Sequence, residues 1–228
     1  MATIAQWDIN NECNLNCKHC RVSEKNDNEK MSLNEAKNLL AQCWYNGITM
    51  LNLSGGEPFL RKDIFDILDY AEKFEDIVIT TNGTLLDENK CKKLSTYNNI
   101  KLSISLDGLE ETHDKFRRRK GAFKKVIDTL PVLNKYNIKY AIKYTLSKET
   151  AKDAVELLNF IAKMGAKEFN VRRVIVAGNA SKDMVLSNEE YKNIIRELIQ
   201  NCRKLDVKFR TGDPLLIPIF SEIWGIDI

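Results

Sequence analysis

Three cysteines lie close together near the start of the chain. Cys13, Cys17 and Cys20 follow the spacing C-x3-C-x2-C directly after an apolar run. A cluster of four irons and four sulfides normally takes one cysteine thiolate per iron, so three thiolates leave one iron open to a substrate or cofactor. His19 allows a second interpretation, because zinc also binds mixed sets of thiolate and imidazole. No second Cys/His pair follows at finger-like spacing, which favours the iron–sulfur cluster.

A glycine-rich turn follows the second predicted strand, Ile48 to Leu53. Two glycines there let the backbone approach a ligand closely, and the acidic side chain beside them is placed to receive a cation. Glycine-rich turns at strand ends are common, so the motif gains its weight from following the cysteine loop. Its residues are Ser54, Gly55, Gly56, Glu57 and Pro58.

Small polar residues end the next two predicted strands. Ile77 to Thr81 is followed by Asn82 and a glycine, and Ile100 to Leu106 carries Ser105 and Asp107 at its end. Asn-Gly and Asp-Gly are turn formers whatever the function. In a barrel of parallel strands, however, these strand ends build the active site.

These motifs, in this order at successive strand ends, resemble those of the radical S-adenosylmethionine (AdoMet) enzymes. The segment SLDGLEETHDKFRRRKGAF, which begins at Ser105, resembles the peptide-modifying subfamily with a SPASM or twitch extension. The resemblance implies one 4Fe-4S cluster with three Cys ligands and AdoMet on its open iron. It also implies that the glycine-rich turn, GGEP at 55–58, holds the methionyl ammonium.

The resemblance implies further contacts with AdoMet. Ser105 and Asp107 would contact its ribose and methionyl part, and Arg117 would face its carboxylate. Backbone near Val176 would lie against the adenine, and His19 stands where the family usually has an aromatic residue beside that ring. No cysteine follows Cys202, so the Cys-rich extension of the SPASM-type relatives is not found in this sequence.

The implied activity is that of an oxidoreductase. One-electron reduction of the cluster would cleave AdoMet to methionine and a 5′-deoxyadenosyl radical, which abstracts hydrogen from the substrate. The resemblance favours a ribosomally made peptide, cross-linked or epimerised, with an electron donor of flavodoxin or ferredoxin type. Two alternatives stay open: an enzyme of a small-molecule cofactor pathway, and a non-catalytic zinc or iron–sulfur module.

Alternation of strands and helices indicates an α/β fold. Six strand–helix units predict a parallel sheet with right-handed crossovers, and six do not close an eight-stranded barrel. We therefore expect a partial (β/α)6 TIM-like barrel over residues 1–212, as the resemblance also implies. Residues 213–228 form a C-terminal tail, whose apolar run from Leu215 to Trp224 favours a further domain or a partner. The remaining strands are Thr3 to Ile9, Ile138 to Leu146 and Phe169 to Val176.

Three helix starts are also predicted. Ser32 and Glu35 form a capping box that opens one helix, and Ser187 and Glu190 form a second that opens another. A further helix is expected from Leu60 to about Lys73.

Composition excludes several other classes of function. Lys and Arg total 35 against 32 for Asp and Glu, and a net charge of +3 argues for neither nucleic acid nor a membrane surface. Arg117 to Lys120 are predicted to form a solvated basic helix face. No signal peptide or spanning segment is found, so we expect a cytoplasmic protein. Cys43, Cys91 and Cys202 fall on apolar helix stripes and are expected to pack in the core.

Overall fold

The computed structural model describes residues 3–22, 31–213 and 216, and within them seven strands follow chain order in one sheet. Strands β1 to β4 pair in parallel with one another, and so do β5 to β7. The strands are β1 Ile4–Asp8, β2 Met50–Ser54, β3 Asp76–Thr81, β4 Ile100–Ser105, β5 Tyr140–Leu146, β6 Glu168–Arg173 and β7 Lys208–Thr211.

Helices separate most of these strands along the chain. The described α-helices are α1 Leu33–Tyr45, α2 Ile64–Ala71, α3 Glu88–Leu94, α4 Glu110–Arg117, α5 Ala122–Lys135, α6 Ala154–Lys163 and α7 Asn188–Lys204. This alternation confirms the predicted α/β class with a parallel sheet, consistent with a partial barrel. The short strand β7 was not predicted from the sequence.

The chain divides into two compact units. Unit 1 comprises Met1–Asn16, Val22–Ser105 and Lys125–Tyr140. Its sheet is apolar on one face, where Leu53, Ile79 and Leu102 are fully buried. Helix α1 begins with the predicted capping box, in which the Ser32 hydroxyl accepts from the Glu35 amide and the Glu35 carboxylate accepts from the Ser32 amide.

Unit 2 comprises Cys17–Arg21, Leu106–Lys124 and Ala141–Ile228. Tyr144 of β5 packs on Phe169 of β6 with 5.4 Å between ring centroids, and both side chains are fully buried. Helix α7 begins at the second predicted capping box, built by Ser187 and Glu190. Charged and polar side chains lie on the other face of these strands, and their arrangement is described below.

Several predicted boundaries were wrong. The sixth strand ends at Arg173 rather than Val176, and Ile175 and Val176 are 75% and 47% exposed. The long helix expected from Leu60 is a 3-10 turn over Pro58–Leu60 followed by α2. Its start is delayed because Pro58 and the buried Arg61, which bonds to the carbonyl of Ile9, fix the chain outside the helix.

Cys43, Cys91 and Cys202 were expected to pack in the core, and this prediction is confirmed for two of them. Cys91 and Cys202 are buried, and burial raises the pKa of these thiols to about 11 and about 12, so they are protonated packing groups. Cys43 is only half-buried rather than part of the core. The expected apolar tail lies outside the described residues except for Leu216, which is buried.

No helix among the described residues combines the length and apolar character needed to cross a membrane.

Candidate functional site

In unit 1, the backbone after β1 packs tightly against the glycine-rich turn after β2. The Gly56 amide donates to the carbonyl of Asn10 at 2.8 Å, and the Glu57 amide donates to that of Glu12 at 2.7 Å. A Cβ atom on Gly55 would overlap the Asn10 carbonyl, and one on Gly56 would overlap that of Glu12. Both glycines are therefore required where the chain leads into the cysteine loop, independently of any ligand.

The Glu57 carboxylate is fully buried and hydrogen-bonded on both oxygens. Oε1 accepts from the Thr81 hydroxyl at 2.7 Å and from the Phe59 amide at 3.1 Å, while Oε2 accepts from the Asn82 amide at 2.7 Å. A carboxylate with such bonds holds the ends of β2 and β3 together. Its expected part in receiving the methionyl ammonium stays a prediction.

A closed ring of side-chain hydrogen bonds lies beside Cys13 in unit 1. Asn82 Nδ2 donates to Asn14 Oδ1 at 2.9 Å, Asn14 Nδ2 donates to Thr84 Oγ1 at 2.8 Å, and Thr84 Oγ1 donates to Asn82 Oδ1 at 2.6 Å. The Leu15 amide lies 3.4 Å from Cys13 Sγ, and Asn82 Nδ2 lies 3.9 Å from it. N–H groups thus face this sulfur, as they do around iron–sulfur clusters.

In unit 2, a buried ion pair joins Asp107 to Arg117. Asp107 also accepts from the Thr145 amide at 2.7 Å, and its own amide donates to Nδ1 of His113 at 3.0 Å. Burial opposes ionisation of Asp107, but Arg117 outweighs it and holds the carboxyl pKa below its usual range. Burial and the nearby Arg117 lower the pKa of His113 to about 4, so its imidazole is neutral.

The same guanidinium reaches the cysteine loop. Arg117 NH1 lies 3.6 Å from Cys17 Sγ, and although burial disfavours its charge, Asp107 and Cys17 raise its pKa. The loop is also anchored through its backbone, because the Lys18 amide donates to the carbonyl of Phe116 at 2.9 Å. Arg117 is therefore not part of an exposed basic helix face, as the sequence pattern suggested, although Arg118 to Lys120 are exposed.

His19 behaves as an aromatic residue in this structure. Its ring stacks on Phe116 with 4.5 Å between centroids and 9° between planes. Burial, reinforced by Arg117, lowers the pKa of His19 to about 4. Stacking fits the aromatic position implied by the family resemblance better than the zinc-ligand alternative.

Gly178 and Asn179 support the cysteine loop in unit 2, and sequence analysis missed the role of Asn179. The Asn179 amide donates to the carbonyl of Cys20 at 2.9 Å, and its Nδ2 donates to the carbonyl of Cys17 at 3.2 Å. Gly178 has φ +58, and a Cβ there would overlap the Cys20 carbonyl. The Gly-Asn pair after the sixth strand is a turn signal, but nothing local to it names the cysteine loop as its partner.

Lys143, in the middle of β5, was not predicted as a site residue. It is half-buried, and burial together with Arg172 and Arg117 lowers its pKa to about 8. Ser54 and Ser105 stand at the ends of β2 and β4, with Ser54 bonded to Asp8 and Ser105 buried. The predicted AdoMet contacts of Ser54, Ser105 and Val176 stay predictions.

The donor set fits an iron–sulfur cluster better than a single zinc ion. Within residues 3–22, 31–213 and 216, no three His, Cys, Asp or Glu side chains converge enough to hold one metal ion. A cubane does not require such convergence, because each thiolate binds a different iron. Amide and guanidinium N–H groups face the sulfur atoms of Cys13 and Cys17, as N–H groups do around the sulfurs of such clusters.

The Radical SAM superfamily model matches residues 7–161 of the chain. That span includes the cysteine loop, the glycine-rich turn, Asn82 and the Asp107–Arg117 pair. The chain therefore belongs to the Radical SAM superfamily, as the family resemblance of its motifs predicted.

Relatives named for different functions match the chain. It is 34% identical to the Fe-coproporphyrin III synthase of Methanosarcina barkeri, over 90% of the chain and 53% of that protein. It is 29% identical to the antilisterial bacteriocin subtilosin biosynthesis protein AlbA of Bacillus subtilis, over 73% of the chain and 38% of that protein. The chain thus spans about half the length, or less, of these curated relatives.

The fold matches that of Streptococcus suis SuiB, solved bound to its precursor peptide SuiA. The TM-score is 0.83 at 19% identity, and the match covers 99% of this chain and 52% of SuiB. At this identity the match supports the shared fold and nothing beyond it.

Proposed function

We propose that the chain is the catalytic core of a radical AdoMet enzyme. When bound, the 4Fe-4S cluster and AdoMet would supply a 5′-deoxyadenosyl radical that removes a hydrogen atom from the substrate. The observation that carries this proposal is Arg117, which bonds Asp107 at a strand end and lies 3.6 Å from the sulfur of Cys17. One guanidinium thereby couples a predicted cluster ligand to a predicted AdoMet contact.

The protein's own residues would hold and orient these groups. Cys13, Cys17 and Cys20 would ligate three irons, and the N–H donors around Cys13 and Cys17 would stabilise the thiolates. The buried hydrogen bonds of Glu57 and Asn82 would fix the strand ends against which AdoMet lies. Rigid, buried surroundings keep water from a reactive radical.

Two substrate classes are supported by different relatives. The relative of 34% identity is named as an Fe-coproporphyrin III synthase, which favours the small-molecule alternative. A ribosomally made peptide is supported by the subtilosin biosynthesis protein of 29% identity. We propose the small-molecule class first, because that match has the higher identity and covers more of the chain, and keep the peptide as the second candidate.

The test is anaerobic reconstitution with iron and sulfide, followed by iron counting and an assay for 5′-deoxyadenosine with AdoMet and a chemical reductant. We expect about four irons per chain and product formation. Cys17→Ala should lose both, whereas the control Cys43→Ala, which alters a half-buried thiol on α1, should keep both. Tightly bound zinc without deoxyadenosine would contradict the proposal and support the structural module instead.

A further inference from the structure

One face of the strands in unit 2 is polar, although the other face is core. Lys143 of β5 lies opposite Asn170 of β6 in the parallel register, and Thr145 lies opposite Arg172. Residues in register on adjacent strands project from the same face, as do residues two apart on one strand. The alternate face carries Ile142 and the stacked ring pair, all fully buried. Lys143, Asn170 and Arg172 therefore share a face that the apolar core does not use.

The groups around Lys143 carry more positive than negative charge. The groups that act most strongly on the charge of Lys143 are Arg172, Arg117 and Arg21, with Asp107 as the one carboxylate among them. Asp107 is already paired with Arg117. Like charges brought together in a partly buried place are unfavourable unless an anion joins them.

The two outer cations are unpaired within residues 3–22, 31–213 and 216. Among the described residues, neither the Lys143 ammonium nor the Arg172 guanidinium makes a hydrogen bond or an ion pair. Arg210, two strands from Lys143, differs because it faces Glu168 at 3.8 Å. Oδ1 of Asn170 is buried and likewise lacks a hydrogen-bond partner within the described part of the chain. Oδ1 of Asn170 is thus a buried, unsatisfied atom of the kind that native interiors rarely tolerate without a ligand, and it lies beside one half-buried and one exposed cation that are unpaired.

We propose that Lys143 and Arg172 bind a carboxylate of the substrate. The inference rests on the proposed function and adds the chemical class of the substrate. An ammonium and a guanidinium on adjacent strands can together hold the two oxygens of one carboxylate through charge-assisted hydrogen bonds. Arg117 is not available for this role, because Asp107 and Cys17 already occupy it.

Carboxylates occur in both substrate classes supported by the relatives. A tetrapyrrole carries them as propionate side chains, and a peptide carries them as Asp, Glu or its terminus. The proposed site would recognise the charge and size of the carboxylate and not the rest of the substrate. The test therefore uses one probe from each substrate class.

Equilibrium binding of two probe pairs to the reconstituted, AdoMet-loaded protein tests the proposal. The first pair is coproporphyrin III and its neutral methyl ester, and the second is a short Glu-rich peptide and its Gln counterpart. At least one acidic probe should bind, and its neutral counterpart should bind far more weakly. Lys143→Met and Arg172→Gln should each weaken binding of that probe about tenfold to a hundredfold, as expected for loss of a charged hydrogen bond.

Three controls make the result decisive. Lys163→Met removes the same charge from the exposed end of α6 and should leave probe binding unchanged. Lys143→Arg keeps the charge and should retain most of the affinity. AdoMet affinity, measured in the same samples, should remain within about twofold in both charge-removing variants, because a charged hydrogen bond to AdoMet would change it at least tenfold.

The outcomes separate the two proposals. Loss of porphyrin binding or of peptide binding in the two charge-removing variants supports the carboxylate site and identifies the substrate class that carries the carboxylate. The proposal would be overturned if neither acidic probe binds, or if binding is unchanged in both variants. An equal loss of AdoMet affinity would also overturn it, because the cations would then bind the cofactor. Because Arg172 is exposed, its variant should fold even if the Lys143 variant does not. Failure of the radical chemistry itself would appear separately, as absent deoxyadenosine in the unsubstituted protein.

Discussion

Replacing Lys143 with methionine should stabilise the fold while removing a group needed for binding. Burial and neighbouring arginines lower the pKa of Lys143 from 10.5 to about 8, so the ammonium is unfavourable in the folded state. Each pKa unit corresponds to about 1.4 kcal/mol, which sets an upper bound of about 3 kcal/mol for protonated Lys143 at neutral pH. The side chain is only half-buried, so solvent screening reduces the expected gain to about 1–2 kcal/mol.

The pH dependence gives this prediction its sign. Below about pH 8 both folded and unfolded chains hold the proton on Lys143, and the folded state bears the full unfavourable free energy. Between about 8 and 10.5 the unfolded chain still holds a proton that the folded chain has lost, so this residue makes stability rise with pH. Lys143→Met should therefore gain stability at neutral pH and lose that advantage as pH approaches 10.5.

Urea unfolding of the metal-free parent and variant proteins at about pH 7 and about pH 10 measures the gain in stability at neutral pH and its loss at alkaline pH. Taking the difference removes the contribution of other alkaline groups, such as Cys91 and Tyr144, whose raised pKa values act in the opposite direction. Lys163→Met, on the exposed surface, should change stability little at either pH. A loss of stability in Lys143→Met at neutral pH, or an equal gain at both pH values, would refute the reasoning.

Two further predictions concern the support of the cysteine loop. Asp107→Asn leaves the Arg117 guanidinium buried beside a neutral group, and should lower the free energy of unfolding by about 3–5 kcal/mol in urea titrations; a loss below about 1 kcal/mol would show that the pair is solvated. Gly178→Ala places a Cβ on the Cys20 carbonyl and should reduce reconstituted iron by more than about half. Gly121→Ala, at a similarly positive φ but in open space, is the control and should keep its iron.

Local features were predictable from the sequence because their causes are local. The capping boxes at Ser32 and Ser187 depend on residues three apart, and both occur as expected. The cysteine spacing and the glycine-rich turn likewise belong to single short segments. The identity of the family followed from their order along the chain, which needs no knowledge of their contacts.

Contacts between distant segments were not predictable in the same way. Asn179 reaches the loop at Cys17 across 162 positions, and no local pattern marks that pairing. The end of β6 was misplaced because Val174 to Val176 continue an apolar, β-branched run that favours a strand by composition alone. Arg117 was expected both to face AdoMet and to belong to a solvated basic run. Its burial depends on its ion pair with Asp107, which the local sequence does not reveal.

Satisfaction of polar groups distinguishes the buried residues at the strand ends of unit 1 from the unpaired cations of unit 2. Glu57 and Asn82 are buried, and nearly every polar atom of their side chains is hydrogen-bonded within the protein. These hydrogen bonds hold the strand ends and the loop in register. Within the described residues Lys143 and Arg172 carry charge with no partner, and burial makes the charge of Lys143 a cost to stability. Such a cost is sustained where an absent partner is supplied by a ligand, which is why a carboxylate, rather than further packing, is the expected complement of these two cations.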